Sequence, residues 1–223
     1  MTGERRILLF TKTAGYRHDS LPAGISSIQE LSAGEGIVVE HTEDEGAFTL
    51  ENLDRHDAVV WLQVSGDVLT ETGRAAFADY LARGGGWAGI HGPADAEWWW
   101  PTYDDIVGAR FRCHPTNGRQ AASVIVRAED PSTAALPHPW VWEDEWYAFE
   151  HAPGAPFTVL LGIDESTYDP EDGPMGENHP VAWRGTFGAG KTWYTSLGHH
   201  ADSYSDERFR KHLWGGITSV LRH

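Results

Sequence analysis

Residues 58–92, AVVWLQVSGDVLTETGRAAFADYLARGGGWAGIHG, decide the fold. Ala58–Val64 is a short, almost wholly apolar run, as expected of a strand buried on both faces. Thr70 then offers a helix cap, and the helix runs through Phe77, Tyr80 and Leu81 until Gly84–Gly86 stop it. Trp87–His91 is a second buried run. A strand, a helix and a strand with no hairpin turn between them require parallel pairing through a right-handed crossover.

The same alternation continues toward the N-terminus. Arg6–Lys12 (RILLFTK) reads as the first strand and Ile37–His41 as the second, which makes Ala58–Val64 the third and Trp87–His91 the fourth. Between the first two, Ser20 followed by Leu21 and Pro22 predicts a capped helix to about Leu31, burying Ile25, Ile28 and Leu31. The pattern implies helices on both faces of an open parallel sheet. Ligands of such sheets bind outside the carboxyl ends of the strands. The segments emerging there are Thr13–Ser20 (TAGYRHDS), Ser65–Asp67 and Gly92–Asp95, all polar or glycine-rich.

The second half reads differently. Ala121–Ala128 and Phe157–Ile163 predict strands, Val181–Arg184 and Thr192–Leu197 a hairpin about Gly185–Gly190, and Ser205–Leu221 a closing helix. No repeat or linker interrupts the chain. The expectation is one domain over residues 1–223, whose later strands extend the sheet and cover the site.

Composition narrows the function. Seventeen Lys+Arg against 33 Asp+Glu give a formal charge of −16 over 223 residues. That acidity disfavours nucleic acid and anionic membrane surfaces, both of which are bound through clustered cations. The single Cys113 excludes an internal disulfide. Ile7–Phe10 is too short for a signal core, and no apolar run approaches the ~18 residues of a membrane span. A cytoplasmic location is expected. Eleven Trp and twelve His suit a polar, aromatic-lined pocket.

Gly89-Ile90-His91-Gly92 resembles a nucleophile elbow in which imidazole occupies the reactive slot. The plain alternative is a histidine satisfied by backbone at a strand end. Gly198-His199-His200 ends the last strand at the same edge; strand alternation lets one of the pair reach the pocket, and His199 is favoured. His18 comes after the first strand. His114 and His179, each before a proline, are further pocket candidates. In Glu143–Tyr147 (EDEWY), alternation groups Glu143, Glu145 and Tyr147 on one face and Asp144 and Trp146 on the other. One carboxylate there serves as acid/base or orients a histidine; the alternative is a solvated acidic edge, and Asp164-Glu165-Ser166 is a weaker version. Trp98, Trp99 and Trp100, close to Asp95, suit stacking on sugar faces or, equally, a subunit contact. Phosphate-loop, dinucleotide, HExxH and cysteine-cluster motifs are absent. No cofactor is demanded. A divalent metal on dispersed His and Glu, with His91, His199 and Glu145 as candidate ligands, fits the open three-ligand pattern of catalytic sites.

The set TKTAGYRHDS, GGGWAGIHGPAD, ARFRCHP, DEWY, DESTYDP, NHPVAW and SLGHHADSY, in this order from about Ile7 to Leu221, resembles the ThuA-like, or trehalose-utilisation, family. The resemblance implies a flavodoxin-like three-layer α/β/α sandwich, akin to class I glutamine amidotransferases. Those enzymes carry cysteine at the elbow, where this chain has His91, and His199 falls where their histidine stands. Glutaminase activity through a thioester is therefore not expected. The resemblance implies sugar metabolism through 3-keto intermediates. On it rests the expectation of an enzyme that hydrolyses or eliminates an oxidised disaccharide or glycoside. His91, His199 and Glu145 would be catalytic, and His18, Asp95, Trp98–Trp100, His114 and His179 would hold a small sugar. The competing expectation is a non-catalytic sugar-binding or accessory subunit of a sugar dehydrogenase. A homo-oligomer or a dehydrogenase would be the partner.

Overall fold

The computed structural model describes residues 4–222, so both ends of the expected domain lie outside the described residues. The chain runs β1 (Arg6–Phe10), α1 (Leu21–Gly34), β2 (Val38–Thr42), α2 (Leu50–Leu53), β3 (Ala58–Leu62), α3 (Glu71–Ala82) and β4 (Gly86–Ile90). After these come α4 (Asp104–Val107), β5 (Phe111–Cys113), β6 (Gln120–Val126), β7 (Trp140–Asp144), β8 (Ala148–Phe149) and β9 (Thr158–Asp164). A hairpin of β10 (Pro180–Phe187) and β11 (Gly190–Thr195) leads to α5 (Glu207–Ser219).

Nine strands form one sheet in the order β2-β1-β3-β4-β11-β10-β9-β6-β7. From β2 through β11 every pairing is parallel. From β11 onward the pairings are antiparallel, and this block is the predicted C-terminal extension. The short β5–β8 pair stands apart.

Alternation along the parallel strands divides the core in two. Ile7 and Leu9 of β1, with Val60 and Leu62 of β3, share a cluster with Ile28 of α1 and Phe209, Leu213 and Ile217 of α5. Leu8, Phe10, Val59 and Trp61 turn the other way, onto Phe77, Tyr80 and Leu81 of α3. Both faces are covered, which is why these strands read as unbroken apolar runs. Each such side chain, fully buried, contributes roughly 1.5–3 kcal/mol. The result is the flavodoxin-like three-layer sandwich. No helix among the described residues is long and apolar enough to cross a membrane.

Three local expectations are corrected. Thr70 caps α3, accepting from Gly73 N–H, but Ser20 does not cap α1. Its hydroxyl instead donates to the His199 carbonyl at 2.6 Å, a partner 179 residues away. The closing helix starts at Glu207 rather than Ser205, because the Asp206 carboxylate accepts from the N–H groups of Arg208 and Phe209. The grouping of Glu143, Glu145 and Tyr147 on one face fails because β7 ends at Asp144. Glu143 is exposed and pairs with Arg119, whereas Asp144, Glu145, Trp146 and Tyr147 are all buried.

Candidate active site

The loops after β1, β3, β4 and β11 meet at the carboxyl edge around a cavity of about 340 Å³. His18, Asp95, His114, Glu145, Tyr147 and His199 line it. His91 lies fully buried beside them and closes the end of β4. Its backbone adopts φ +62°, ψ −96°, a conformation that costs a non-glycine residue on the order of 1–3 kcal/mol. Three hydrogen bonds over-determine it. His91 N–H donates to the Thr195 carbonyl at 2.7 Å, the Tyr194 hydroxyl donates to the His91 carbonyl at 2.6 Å, and Nδ1–H donates to the Ser196 carbonyl at 2.6 Å. Glycine is required next in sequence, since a Cβ on Gly92 would meet the Val64 carbonyl oxygen at 2.8 Å. The elbow resemblance holds for the strained turn. Beyond that turn the chain enters a 3₁₀ turn, Gly92–Asp95, rather than an α-helix.

With Nδ1–H committed to a carbonyl, His91 Nε2 carries the lone pair of the neutral ring. It faces His199 Nδ1 at 3.1 Å and Glu145 Oε2 at 3.4 Å, and His199 Nδ1 lies 3.0 Å from the same oxygen. The His18 ring packs edge-on against both others, with centroids 4.7 Å from His91 and 4.9 Å from His199. Its Nδ1 is buried without a hydrogen-bond partner among the described residues. The Tyr147 ring backs His91 at 4.3 Å.

Charges sort accordingly. Burial, then the neighbouring His91 and His199, push His18 down to about 2, so it stays a neutral imidazole. Burial opposes the charge on His199, but the bond to and charge of Glu145 outweigh it and raise the ring above the ordinary value. Burial likewise opposes ionisation of Glu145, yet the hydrogen bond and charge of His199 hold it below the usual carboxylate range. Across the cavity, burial raises the Asp95 carboxyl, with the Trp98 indole N–H and Arg110 pulling the other way.

The scaffold behind the cluster contains Asp144, one of the carboxylates of the EDEWY stretch, and Gln63, which sequence did not single out. Asp144, fully buried, accepts from the backbone N–H of Gly198, His199 and Glu145, so one carboxylate fixes both Glu145 and the His199 loop. Gln63, buried at φ +52°, donates through Nε2 to Ser20 Oγ and the Gly198 carbonyl. It thereby ties the end of β3 to the start of α1 and the loop after β11. The only signal for Gln63 was a polar residue in an apolar run.

The expected residues separate into those that meet at the cavity and those that do not. His18, His91, Asp95, Glu145 and His199 converge, and His114 stands at the rim, its Nε2 3.4 Å from Glu145 Oε1. Trp98 reaches the site indirectly, donating to Asp95 at 2.9 Å. Trp99 is 83% exposed and projects away, while Trp100 stacks on Tyr103 against the α3-side core. His179 does not line the cavity: it is buried behind Tyr147, between the Tyr147 carbonyl and Glu165. His200 turns away to the Gly118 carbonyl, as its pairing with His199 predicts, although β11 already stops at Thr195.

Fold and site define an α/β protein whose elbow presents imidazole to a His–carboxylate cluster. The chain belongs to the ThuA, trehalose utilisation, family, whose model matches residues 6–219. A solved protein of Bacteroides uniformis described as ThuA-like is similar at 23% identity and TM-score 0.84, over 97% of this chain and 91% of that one. Cytoplasmic protein STM3548 of Salmonella typhimurium shares the fold at 12% identity and TM-score 0.68, over 97% and 99% of the two chains. A β-galactosidase of Bacillus circulans sp. alkalophilus matches at 10% identity and TM-score 0.61, with 97% of this chain covering 31% of that one. No curated protein matches.

Proposed function

We propose that this protein is a cytoplasmic enzyme of sugar metabolism that hydrolyses or eliminates an oxidised, 3-keto disaccharide or glycoside. The observation that carries the proposal is the triangle of His91 Nε2, His199 Nδ1 and Glu145 Oε2, with edges of 3.0–3.4 Å, at the wall of an open cavity. A 3-keto group acidifies the C2–H bond. A base takes that proton, the C1–C2 double bond forms as the C1–O bond breaks, and an acid protonates the departing oxygen. His91, whose Nε2 bears a lone pair 3.1 Å from His199 Nδ1, suits the first task, and His199, paired with Glu145, suits the second. In this reading Asp95 binds sugar hydroxyls, steadied by the Trp98 indole, and Tyr16 in the cavity lining offers an aromatic face. The trehalose-utilisation family supports the choice of sugar class, and the similarity to a Salmonella protein called cytoplasmic supports the location.

The test is incubation of the purified protein with 3-keto-trehalose and simple 3-keto-glucosides. Release of free sugar or an unsaturated keto sugar is expected; no turnover and no binding across the panel overturns the proposal. The second reading, a sugar-binding accessory subunit of a dehydrogenase, is favoured by one observation, the exposure of Tyr16, Trp98 and Trp99 at the surface. It requires sugar binding without turnover, unaffected by His91→Ala.

A further inference from the structure

We infer that His18, His91, His199 and Glu145 form a binding site for one divalent first-row transition-metal cation such as Zn²⁺. The inference rests on the proposed function for its location in a reactive site, but its geometry stands independently. A tetrahedral cation with N and O ligands at 2.0–2.1 Å separates neighbouring ligand atoms by about 3.3 Å. The triangle of His91 Nε2, His199 Nδ1 and Glu145 Oε2 has edges of 3.1, 3.4 and 3.0 Å, so these atoms already stand as one face of such a polyhedron. One nitrogen of His18 completes the set, with all four ligand atoms within 4.8 Å of one another.

Three further features point the same way. The buried Nδ1 of His18 has no hydrogen-bond partner among the described residues, although His18 is only 5% exposed. A buried imidazole nitrogen left unsatisfied is costly unless something binds there. The Ser196 carbonyl accepts from His91 Nδ1–H, which fixes the tautomer that presents Nε2, the arrangement that supports histidine ligands in metal sites. Two backbone N–H groups, of Glu145 and His199, are clamped by Asp144, so the carboxylate and an imidazole are held in place from behind. Three imidazoles with one carboxylate favour Zn²⁺, Co²⁺ or Fe²⁺ over Mg²⁺ or Ca²⁺, which prefer oxygen. A cation held here would polarise a keto oxygen and lower the pKa of a bound water, with His91, His199, His18 and Glu145 as its ligands.

The test is titration of the chelator-stripped full chain with Zn²⁺ by calorimetry, and with Co²⁺ by visible absorption. One equivalent is expected to bind, with Co²⁺ bands of an N,O-ligated ion. His91→Ala, His199→Ala and Glu145→Gln are each expected to weaken binding by at least about tenfold. With 12 histidines in the chain, exposed His151→Gln serves as the control for stray binding, and no change is expected there. Circular dichroism confirms that each variant folds, and the Co²⁺ spectrum of the wild type reads the ligand set without any substitution. No Co²⁺ bands, or equal affinity in His91→Ala and wild type, overturns the inference. Full turnover of a 3-keto sugar after exhaustive stripping also overturns it and leaves the proposed function standing. One-equivalent binding at the cluster with no turnover of any 3-keto sugar upholds it and overturns the proposed function.

Discussion

Buried histidines of two kinds occur among the described residues, and one kind alone meets other histidines and a shared carboxylate beside the cavity. His212 lies fully buried on the α1–α5 side, its Nδ1 2.9 Å from the Ser132 carbonyl and its Nε2 3.0 Å from Thr195 Oγ1. His179 is equally buried, between the Tyr147 carbonyl and the Glu165 carboxylate. Both rings have each nitrogen occupied by a fixed protein partner. The cluster of His91, His199 and His18 differs on that point: its rings meet one another and one shared carboxylate beside the cavity, and His18 Nδ1 has no hydrogen-bond partner among the described residues.

The largest test of this contrast is to remove the shared carboxylate. Glu145→Gln is expected to lower turnover of a 3-keto sugar by roughly 100-fold or more, the usual worth of a positioned acid–base partner. His179→Gln, measured in the same assay, is expected to stay within about tenfold, because it acts only through the Tyr147 carbonyl. Equal losses in steady-state kcat would erase the distinction between the clusters.

A structural test comes next. Gln63→Leu removes a donor shared by Ser20 Oγ and the Gly198 carbonyl, which keeps the Tyr204 hydroxyl as its second donor. Denaturant unfolding is expected to show a loss of about 1–2 kcal/mol. A loss under about 0.5 kcal/mol would mean that these segments are tied elsewhere.

The pH dependence of stability sharpens the comparison from the structural side. Burial lowers His212 from its ordinary 6.5 to about 4, against the Ser132 carbonyl and Asp130, which pull upward. Between those values the unfolded chain binds a proton that the folded chain refuses, so stability falls as pH drops from about 6.5 toward 4. The contribution reaches roughly 3 kcal/mol at the acid end and vanishes above about pH 7. His212→Gln should flatten this limb in unfolding titrations, and an unchanged slope would show that His212 does not carry it.

The smallest effects belong to the tryptophans. Trp98→Ala is expected to raise KM several-fold with kcat little changed, because its indole steadies Asp95 at the rim. Trp99→Ala should change neither parameter more than about twofold. A large Trp99 effect would move the substrate onto the exposed face.

The parallel half of the fold was legible because β1, β3 and β4 are buried on both sides, and α3, which joins two of them, carries cap and stop signals. The carboxyl-edge rule then led to His18, His91, Asp95 and His199 without any knowledge of distance. The edge of the antiparallel block was harder. β7 buries Trp140, Trp142 and Asp144 on one face only, and its end at Asp144 breaks the alternation from which Glu145 and Glu143 were paired. Ser20 looked like a helix cap because local pattern cannot show that its hydroxyl is spent on His199. His179 reads the same in sequence as His114, since what separates them is whether Tyr147 stands between ring and cavity. Long-range hydrogen bonds decide these cases, and no window of sequence contains them.

The most direct test of the central claim is turnover of a 3-keto disaccharide by His91→Ala alongside the wild type, with circular dichroism confirming that the variant is folded. Clear turnover by the wild type and a fall of at least about 100-fold in the variant are predicted. A folded His91→Ala protein that works within about threefold of the wild type would contradict the claim, because the strained imidazole at the end of β4 would then take no part in the reaction.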